Sequence, residues 1–479
     1  MGYPRVVLAG TNSGVGKTTL TMGLIAALKK RGLTIQPFKV GPDYIDPSYH
    51  TRVSGRYCRN LDAWMLAKDA VLELFERQAK LSDISIIEGV MGLYDGLKNK
   101  ETGSSAHLAK MLKSPVILVM DAGSMSRSAG AVVLGYKEFD RGVDLRGVIV
   151  NNIGSRAHYD SIKTTIEKRT GLPVLGFLPK DKVLVLPERH LGLIPAGERG
   201  VLDSFIEKLS GLIEKTIDID RVIKISRQAE AFPRFTKKLF GGSQRAERVT
   251  IAIAKDEAFN FYYQDNLDIL VDRGANLVEF KPLGDKRLPE GADGLYIGGG
   301  FPELFAGKLS RNISLKNDIL KKAKGGMPIY AECGGLMYLA KEIIDFENKA
   351  YPMVGIFDAS IKMALRLRAL GYVTVEALKD NLLCDKGRDI KAHVFHWSYL
   401  DKSGGKEKYA YRVKKDKDNI TSDGLVKWNT LASYAHLHFG SDPELAGKFI
   451  EHCRASRHCD PAHSRTGGGR SNLRKRGDR

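Results

Sequence analysis

The chain predicts an α/β protein of two successive domains. The first is a doubly wound parallel sheet opening on a phosphate-binding loop; the second is an α/β domain carrying a nucleophile at a strand–helix turn. Three observations predict this. Short Val- and Ile-rich runs alternate with amphipathic stretches from residue 1 to about 210; "GTNSGVGKTT" (10–19) joins the first such run to the first helical one; and a fresh series starting near 248 contains "YAECGGLMYLA". At 479 residues the chain exceeds one ordinary core. Its 43% hydrophobic and 27% charged residues are the proportions of a folded protein and exclude a disordered one.

The first series reads "RVVLAG", "TIQPFKV", "ISIIEGV", "PVILVMDAG", "LRGVIVNNI" and "PVLGFLP", each ending in Gly, Pro, Asp or Asn. Between them lie helical segments such as "KTTLTMGLIAALKKRG", closed by a glycine suited to a helix C-terminus. Such alternation predicts parallel strands covered on both faces by helices. Residues 211–247 read as a charged helical linker, interrupted by Pro233 and Gly241–Gly242. The second domain spans 248–453 with strands in "RVTIAIAKD", "ANLVEF", "GLYIGGGFPE", "MPIYAECGG" and "LASYAHLHF".

The formal charge of +19 owes much to the tail 454–479, "RASRHCDPAHSRTGGGRSNLRKRGDR", which predicts a basic, disordered extension. No folded nucleic-acid-binding motif accompanies it, so no nucleic-acid partner is expected; the remaining positive charge suits an anionic substrate. No apolar run approaches the ~20 residues of a membrane span, and no membrane partner is expected. Five cysteines, Cys58, Cys333, Cys384, Cys453 and Cys459, lack metal-ligand spacing and scaffold density, which points to a reducing cytoplasm.

"GTNSGVGKTT" is a variant P-loop, one residue longer than the common spacing counted from Gly10. Backbone N–H groups of Gly10, Thr11, Asn12, Gly14, Val15 and Gly16 would wrap phosphate oxygens at the helix N-terminus, where Thr19 also lies. Lys17 would neutralise the β and γ phosphates and the Thr18 hydroxyl would ligate Mg2+. "FKVGPDYIDPSYH" and "IIEGVMGLYDG" follow the next strands, so Lys39, Asp43, Asp46, Glu88 and Asp95 share the carboxyl edge with the loop. Such acids at strand ends are also common turn formers. Asp43 and Glu88 are candidate metal ligands with Thr18; Tyr44, Asp46 and Asp95 are candidate contacts to substrate or intermediate.

"YAECGGLMYLA" places Cys333 on a strand–turn–helix elbow, where the helix end would lower the thiol pKa. Gly299, Gly300 and Gly334 offer N–H groups for an oxyanion hole, and His436 in "SYAHLHF" a base for the thiol.

These motifs, in this order and together with "NLDAWML", resemble those of the cobyrinate a,c-diamide synthases, glutamine-dependent amidotransferases of corrin-ring biosynthesis; the resemblance covers residues 1 to about 453. The N-terminal half resembles dethiobiotin synthetase, and the C-terminal half is similar to class I glutamine amidotransferases. The resemblance implies ATP, Mg2+, glutamine and a tetrapyrrole polycarboxylate as ligands, a homodimer, Cys333 as nucleophile and His436 as its base. It further implies amidation of the a and c acetates of cobyrinate through acyl phosphates, in cobalamin biosynthesis. Similar enzymes use hydrogenobyrinate or nickel-sirohydrochlorin instead. Many class I enzymes carry a glutamate two residues beyond the histidine; here His438 stands there. In "AHVFHWS", Ala392, Val394 and Trp397 depart from the family pattern, while His393, His396 and Ser398 keep it. A P-loop switch or partitioning ATPase is the rival class, but it leaves the cysteine elbow unexplained, and Asn12 stands where that class carries its signature lysine.

Overall fold

Successive side chains of a strand face opposite ways, and the first strand already shows two covered faces. Val7 and Ala9 enter one core, with helices Lys68–Ala79, Ser105–Leu112 and Arg156–Thr170. Val6 and Leu8 enter another, with helix Lys17–Lys30. The computed structural model describes residues 2–181, 199–241, 248–403, 408–416 and 418–459.

The first sheet comprises β1 (Arg5–Gly10), β2 (Ile35–Val40), β3 (Arg59–Leu61), β4 (Ile84–Gly92), β5 (Val116–Asp121), β6 (Leu145–Ile153) and β7 (Val174–Pro179). Its order is β3-β2-β4-β1-β5-β6-β7 and every pairing is parallel. The order reverses around β1 and β4, so the crevice for a ligand opens at their carboxyl ends. The doubly wound fold predicted from the alternation is the fold observed.

The second domain contains β8 (Val249–Ala254), β9 (Ala275–Phe280), β10 (Gly294–Ile297), β11 (Ile329–Glu332), β12 (Glu342–Ile344), β13 (Ala350–Pro352), β14 (Ala359–Met363), β15 (Ala369–Ala377), β16 (Asp389–His396), β17 (Ser398–Ser403), β18 (Lys408–Lys414), β19 (Ile420–Lys427), β20 (Thr430–Ser433) and β21 (His436–Leu437). One sheet runs β21-β16-β15-β18-β19-β20-β11-β10-β8-β9, parallel from β20 to β9 and antiparallel elsewhere. A smaller sheet, β13-β12-β14-β17, receives the chain after β16, so His396, Trp397 and Ser398 mark a crossing between sheets.

Two boundaries differ from the sequence reading. Helix Arg199–Thr216 crosses residue 210, and Leu209 and Ile213 join Val222 and Ile225 of helix Ile219–Arg227 in the first domain's core. These amphipathic helices bury apolar faces and are therefore part of the domain rather than a linker. Residues 229–238 of the connector form neither helix nor strand. Glu73 grips it by accepting from the N–H groups of Lys238 (2.6 Å), Leu239 (2.9 Å) and Phe240 (3.2 Å). Helix Glu444–Cys459 likewise runs past residue 453. The disorder expected of the tail lies, beyond Cys459, outside the described residues.

The domains are joined by buried polar contacts. Arg59 of β3 meets Asp265 and Asp268, each at 2.7 Å, and Tyr372 donates to Asp62 at 2.8 Å beneath a Trp64–Tyr372 ring contact of 4.5 Å. Among the described residues no helix is long and apolar enough to cross a membrane.

Candidate active site

The loop after β1 turns sharply into helix Lys17–Lys30. Gly14 and Gly16 adopt φ of 81° and 89°, the left-handed region that glycine alone enters cheaply. At Gly16 an added Cβ would also strike the Asn151 carboxamide, whose Nδ2 donates to the Val15 carbonyl at 2.9 Å. Lys17 Nζ donates to the carbonyls of Asn12 (3.0 Å) and Met91 (2.7 Å). Burial, then repulsion from Lys39, lowers its pKa, against the pull of nearby carboxylates. A phosphate chain placed here would restore a full counter-charge.

Gly14, Gly16, Lys17, Thr18, Thr19, Lys39, Asp43, Asp46 and Glu88 all line one cleft of about 610 Å³. At its floor Lys39 Nζ lies 2.8 Å from Glu88 Oε1, 2.5 Å from Asp46 Oδ2 and 3.5 Å from Asp43 Oδ2. Thr18 Oγ1 donates to Glu88 Oε1 at 2.8 Å, and His50 Nε2 is hydrogen-bonded to Glu88 Oε2. Burial opposes ionisation of Glu88, but Lys39 and His50 outweigh it and hold the carboxyl below its usual range. Burial likewise opposes the charge on Lys39, and Glu88, Asp46 and Asp43 overcome it.

The other predicted residues sit elsewhere. Gly10, Thr11, Asn12 and Val15 form the stem of the loop rather than the cleft wall; Thr11 N–H, for instance, is held by the Val119 carbonyl at 3.0 Å. Asp95 is a turn former: its Oδ2 accepts the Gly92 N–H at 2.9 Å. Sequence reasoning missed His50, although it ends the quoted stretch "FKVGPDYIDPSYH". It also missed Asn151 and Asn152, which line the cleft from the end of β6.

In the second domain Cys333 follows β11 with φ 47° and ψ −103°, and helix Gly334–Leu339 follows at once. A side chain at Gly334 would stand 2.9 Å from Pro302 Cδ and 3.0 Å from the Gly300 nitrogen, so glycine permits the helix to approach that loop. His436, on β21, comes to the same place from the far edge of the sheet. An added Cβ on Gly299 would stand 2.6 Å from His436 Cε1 and 3.5 Å from Cys333 Cβ.

Two expectations for this site require correction. The thiol is not an activated thiolate: it is buried, and burial, followed by the Glu303 charge, pushes its pKa up despite a hydrogen bond from Gly334 N–H. Desolvation of the charged form outweighs a helix only one and a half turns long. Gly299 N–H is committed to the Phe261 carbonyl at 3.2 Å, which removes it from the oxyanion donors and leaves Gly300 and Gly334. Burial, with repulsion from His393 and His396, lowers the His436 pKa to about 3, so the imidazole rests neutral.

Tyr44 does not line the nucleotide cleft. Its ring lies between the domains, stacked on Phe261 (5.1 Å, 11°) and 5.1 Å from the His436 ring. It lines a second, largely apolar cleft of about 470 Å³, together with Phe261, Leu370, Tyr372, His393 and Phe395. Asp43, Val90 and Met91 line both clefts.

The comparisons agree with this division. Residues 6–194 match the CobQ/CobB/MinD/ParA nucleotide binding domain, and residues 250–444 match the CobB/CobQ-like glutamine amidotransferase domain. A cobyrinate a,c-diamide synthase of Dehalococcoides mccartyi is 47% identical over 94% of this chain and 98% of its own. Those of Caldanaerobacter subterraneus and Archaeoglobus fulgidus are 46% and 43% identical over 93% and 94% of this chain, each covered over 98% of its length. With a nucleotide-binding domain and a glutamine amidotransferase domain joined in this order, the chain belongs to the cobyrinate a,c-diamide synthase family of glutamine-dependent, amide-forming ligases.

Proposed function

We propose that this chain amidates the a and c acetate carboxylates of cobyrinate, using ATP to activate each acid and glutamine to supply the nitrogen, in the cytoplasm. The observation that carries the reading is the pair of clefts sharing Asp43, Val90 and Met91. One is lined by the phosphate loop, Lys17 and Lys39; the other is apolar, large enough for a tetrapyrrole edge, and walled by both domains. A ring in the second cleft would extend an acetate into the first.

A carboxylate resists ammonia because its charge is delocalised and oxide is a hopeless leaving group. Transfer of the γ-phosphoryl group to a carboxylate oxygen gives an acyl phosphate, whose leaving group is phosphate. Lys17 and Lys39 line the cleft and would neutralise charge building on the transferring group, since catalysis of this step is chiefly positioning and neutralisation. The oxygen donors Thr18, Asp43 and Glu88 line the same cleft and fit the hard-donor preference of Mg2+, which keeps few protein ligands beside substrate phosphates. When bound, that ion would screen the phosphate charge. Glu88 already has both oxygens engaged, so its part is first to fix Thr18, Lys39 and His50.

In the second domain the Cys333 proton passes to His436, and the sulfur attacks the glutamine amide carbon. Gly300 and Gly334 N–H groups receive the developing oxyanion. The imidazolium returns the proton to departing ammonia, and water then releases glutamate from the thioester. Burial of both partners keeps the pair neutral until glutamine arrives.

The test is to incubate the purified chain with ATP, Mg2+ and amide-¹⁵N-glutamine and, separately, cobyrinate, hydrogenobyrinate and nickel-sirohydrochlorin. Mass spectrometry should find two labelled amides on cobyrinate. Label only on another ring would reassign the substrate, and no label on any would refute the proposal.

A further inference from the structure

Glu332, the residue before the nucleophile, is 1% exposed, and its Oε2 lies 3.9 Å from His436 Nδ1. That nitrogen is buried and has no hydrogen-bond partner among the described residues. A buried polar atom of this kind calls for an explanation. Glu332 is held firmly: Oε1 accepts from Tyr330 Oη at 2.5 Å and from Leu437 N–H at 3.0 Å, while Oε2, among the described residues, accepts only from Tyr296 Oη at 3.0 Å. Oε2 therefore keeps a free lone pair on the side of the orphaned nitrogen. The Leu437 contact also ties the carboxylate to the residue after His436, fixing the two groups in register.

His438 does not serve this purpose. Its Nδ1 accepts the Gly440 N–H at 3.0 Å and its ring packs 4.7 Å from Tyr263. The other groups facing His436 are His393 and His396 of the β16 strand and Tyr44, none of them an anion. Taking a proton from Cys333 turns a buried neutral imidazole into a buried cation, which is strongly unfavourable without a counter-charge.

We propose that Glu332 is a positioning residue for glutamine hydrolysis. Its Oε2 accepts the Nδ1 proton of His436, fixes the tautomer with a bare Nε2, and balances the imidazolium formed when the Cys333 thiol gives up its proton. The separation of 3.9 Å closes as charge develops, as catalytic hydrogen bonds commonly do on substrate binding. This rests on the reading of Cys333 and His436 as the glutaminase pair. Burial pushes the Glu332 carboxyl up to about 7, so the ionised form needed here is gained as pH rises through that value.

The experiment compares glutamine hydrolysis and ammonium-dependent amidation in the wild-type chain and in Glu332→Gln, Glu332→Asp, Tyr296→Phe and Cys333→Ala. Glu332→Gln should lower kcat for glutamine hydrolysis about 10²- to 10³-fold with KM within about threefold, leaving ammonium-dependent amidation within about twofold. Glu332→Asp should recover part of the loss. The wild-type rate should rise with pH through a midpoint near 7, and Glu332→Gln should lose that limb. Tyr296→Phe removes the other donor to Oε2 and should move the limb to higher pH while keeping the plateau. A Glu332→Gln chain that is competent with ammonium and keeps kcat within about threefold overturns the proposal. Should Glu332→Gln fail with ammonium as well, an unmoved limb in Tyr296→Phe overturns it. Hydrolysis that survives Cys333→Ala would instead sink the glutaminase reading itself.

Discussion

Cys333 holds φ 47° and ψ −103°, a conformation that a residue with a Cβ adopts only under strain. Such strain amounts to about 1–3 kcal/mol. Replacing Cys333 by Ala keeps the Cβ and the strain; replacing it by Gly removes both. The two variants lose the same sulfur, so its weak contact with the Phe395 carbonyl at 3.6 Å cancels between them. Glycine carries a larger unfolded-state entropy, worth about 0.5–1 kcal/mol against it. The balance leaves Cys333→Gly more stable than Cys333→Ala by up to about 2.5 kcal/mol, the reverse of the usual order. For a domain of this size that is a Tm higher by up to about 5–10 °C, readable by calorimetry of the second domain's transition. Both variants should lack glutamine-dependent amidation and retain amidation from ammonium salts, which reports intact folding. An Ala variant that melts at or above the Gly variant would show that the elbow is relaxed and refute the argument.

Three further outcomes are expected. Glu73→Ala frees three backbone N–H groups of the connector and should lower stability by about 3 kcal/mol. Trypsin should then cut faster at exposed Lys237 and Lys238, visible on gels. Lys39→Met leaves three carboxylates facing one another and should remove about 3–5 kcal/mol of stability. It should abolish amidation from either nitrogen source while glutamine hydrolysis persists in a direct glutamate assay. The Glu332 carboxyl rises from 4.5 to about 7 on folding, so its contribution is complete below 4.5 and is lost as pH rises through 7. The wild-type chain should therefore lose up to about 3 kcal/mol over that window, a loss that denaturant titrations of Glu332→Gln should not show.

Much of this was legible in residue order alone. The strands of the first sheet announce themselves because a strand buried on both faces is a run of Val and Ile, and the phosphate loop because glycine and lysine spacing is dictated by local backbone geometry. The cysteine elbow is local for the same reason. What escaped depends on contacts between distant segments. The connector reads as charged and helical, yet Glu73, more than 150 residues upstream, takes up its N–H groups in place of helical carbonyls. His50 looks like any helical histidine until β4 brings Glu88 to it. Glu332 is adjacent to Cys333 in sequence, but only the pairing that delivers β21 puts His436 opposite. The thiol departs from the local rule that a helix end favours the thiolate, because the surrounding core imposes a desolvation that only the folded chain reveals.

Tyr44 lies between Asp43 and Ile45 on the turn that presents acids to Lys39, and its ring rests against the imidazole of the other domain. Close-packed aromatic plates do not slide independently. A displacement of that turn would therefore disturb the packing around His436 as well. One side chain thus ties the acid-bearing loop of the first cleft to the histidine of the second domain.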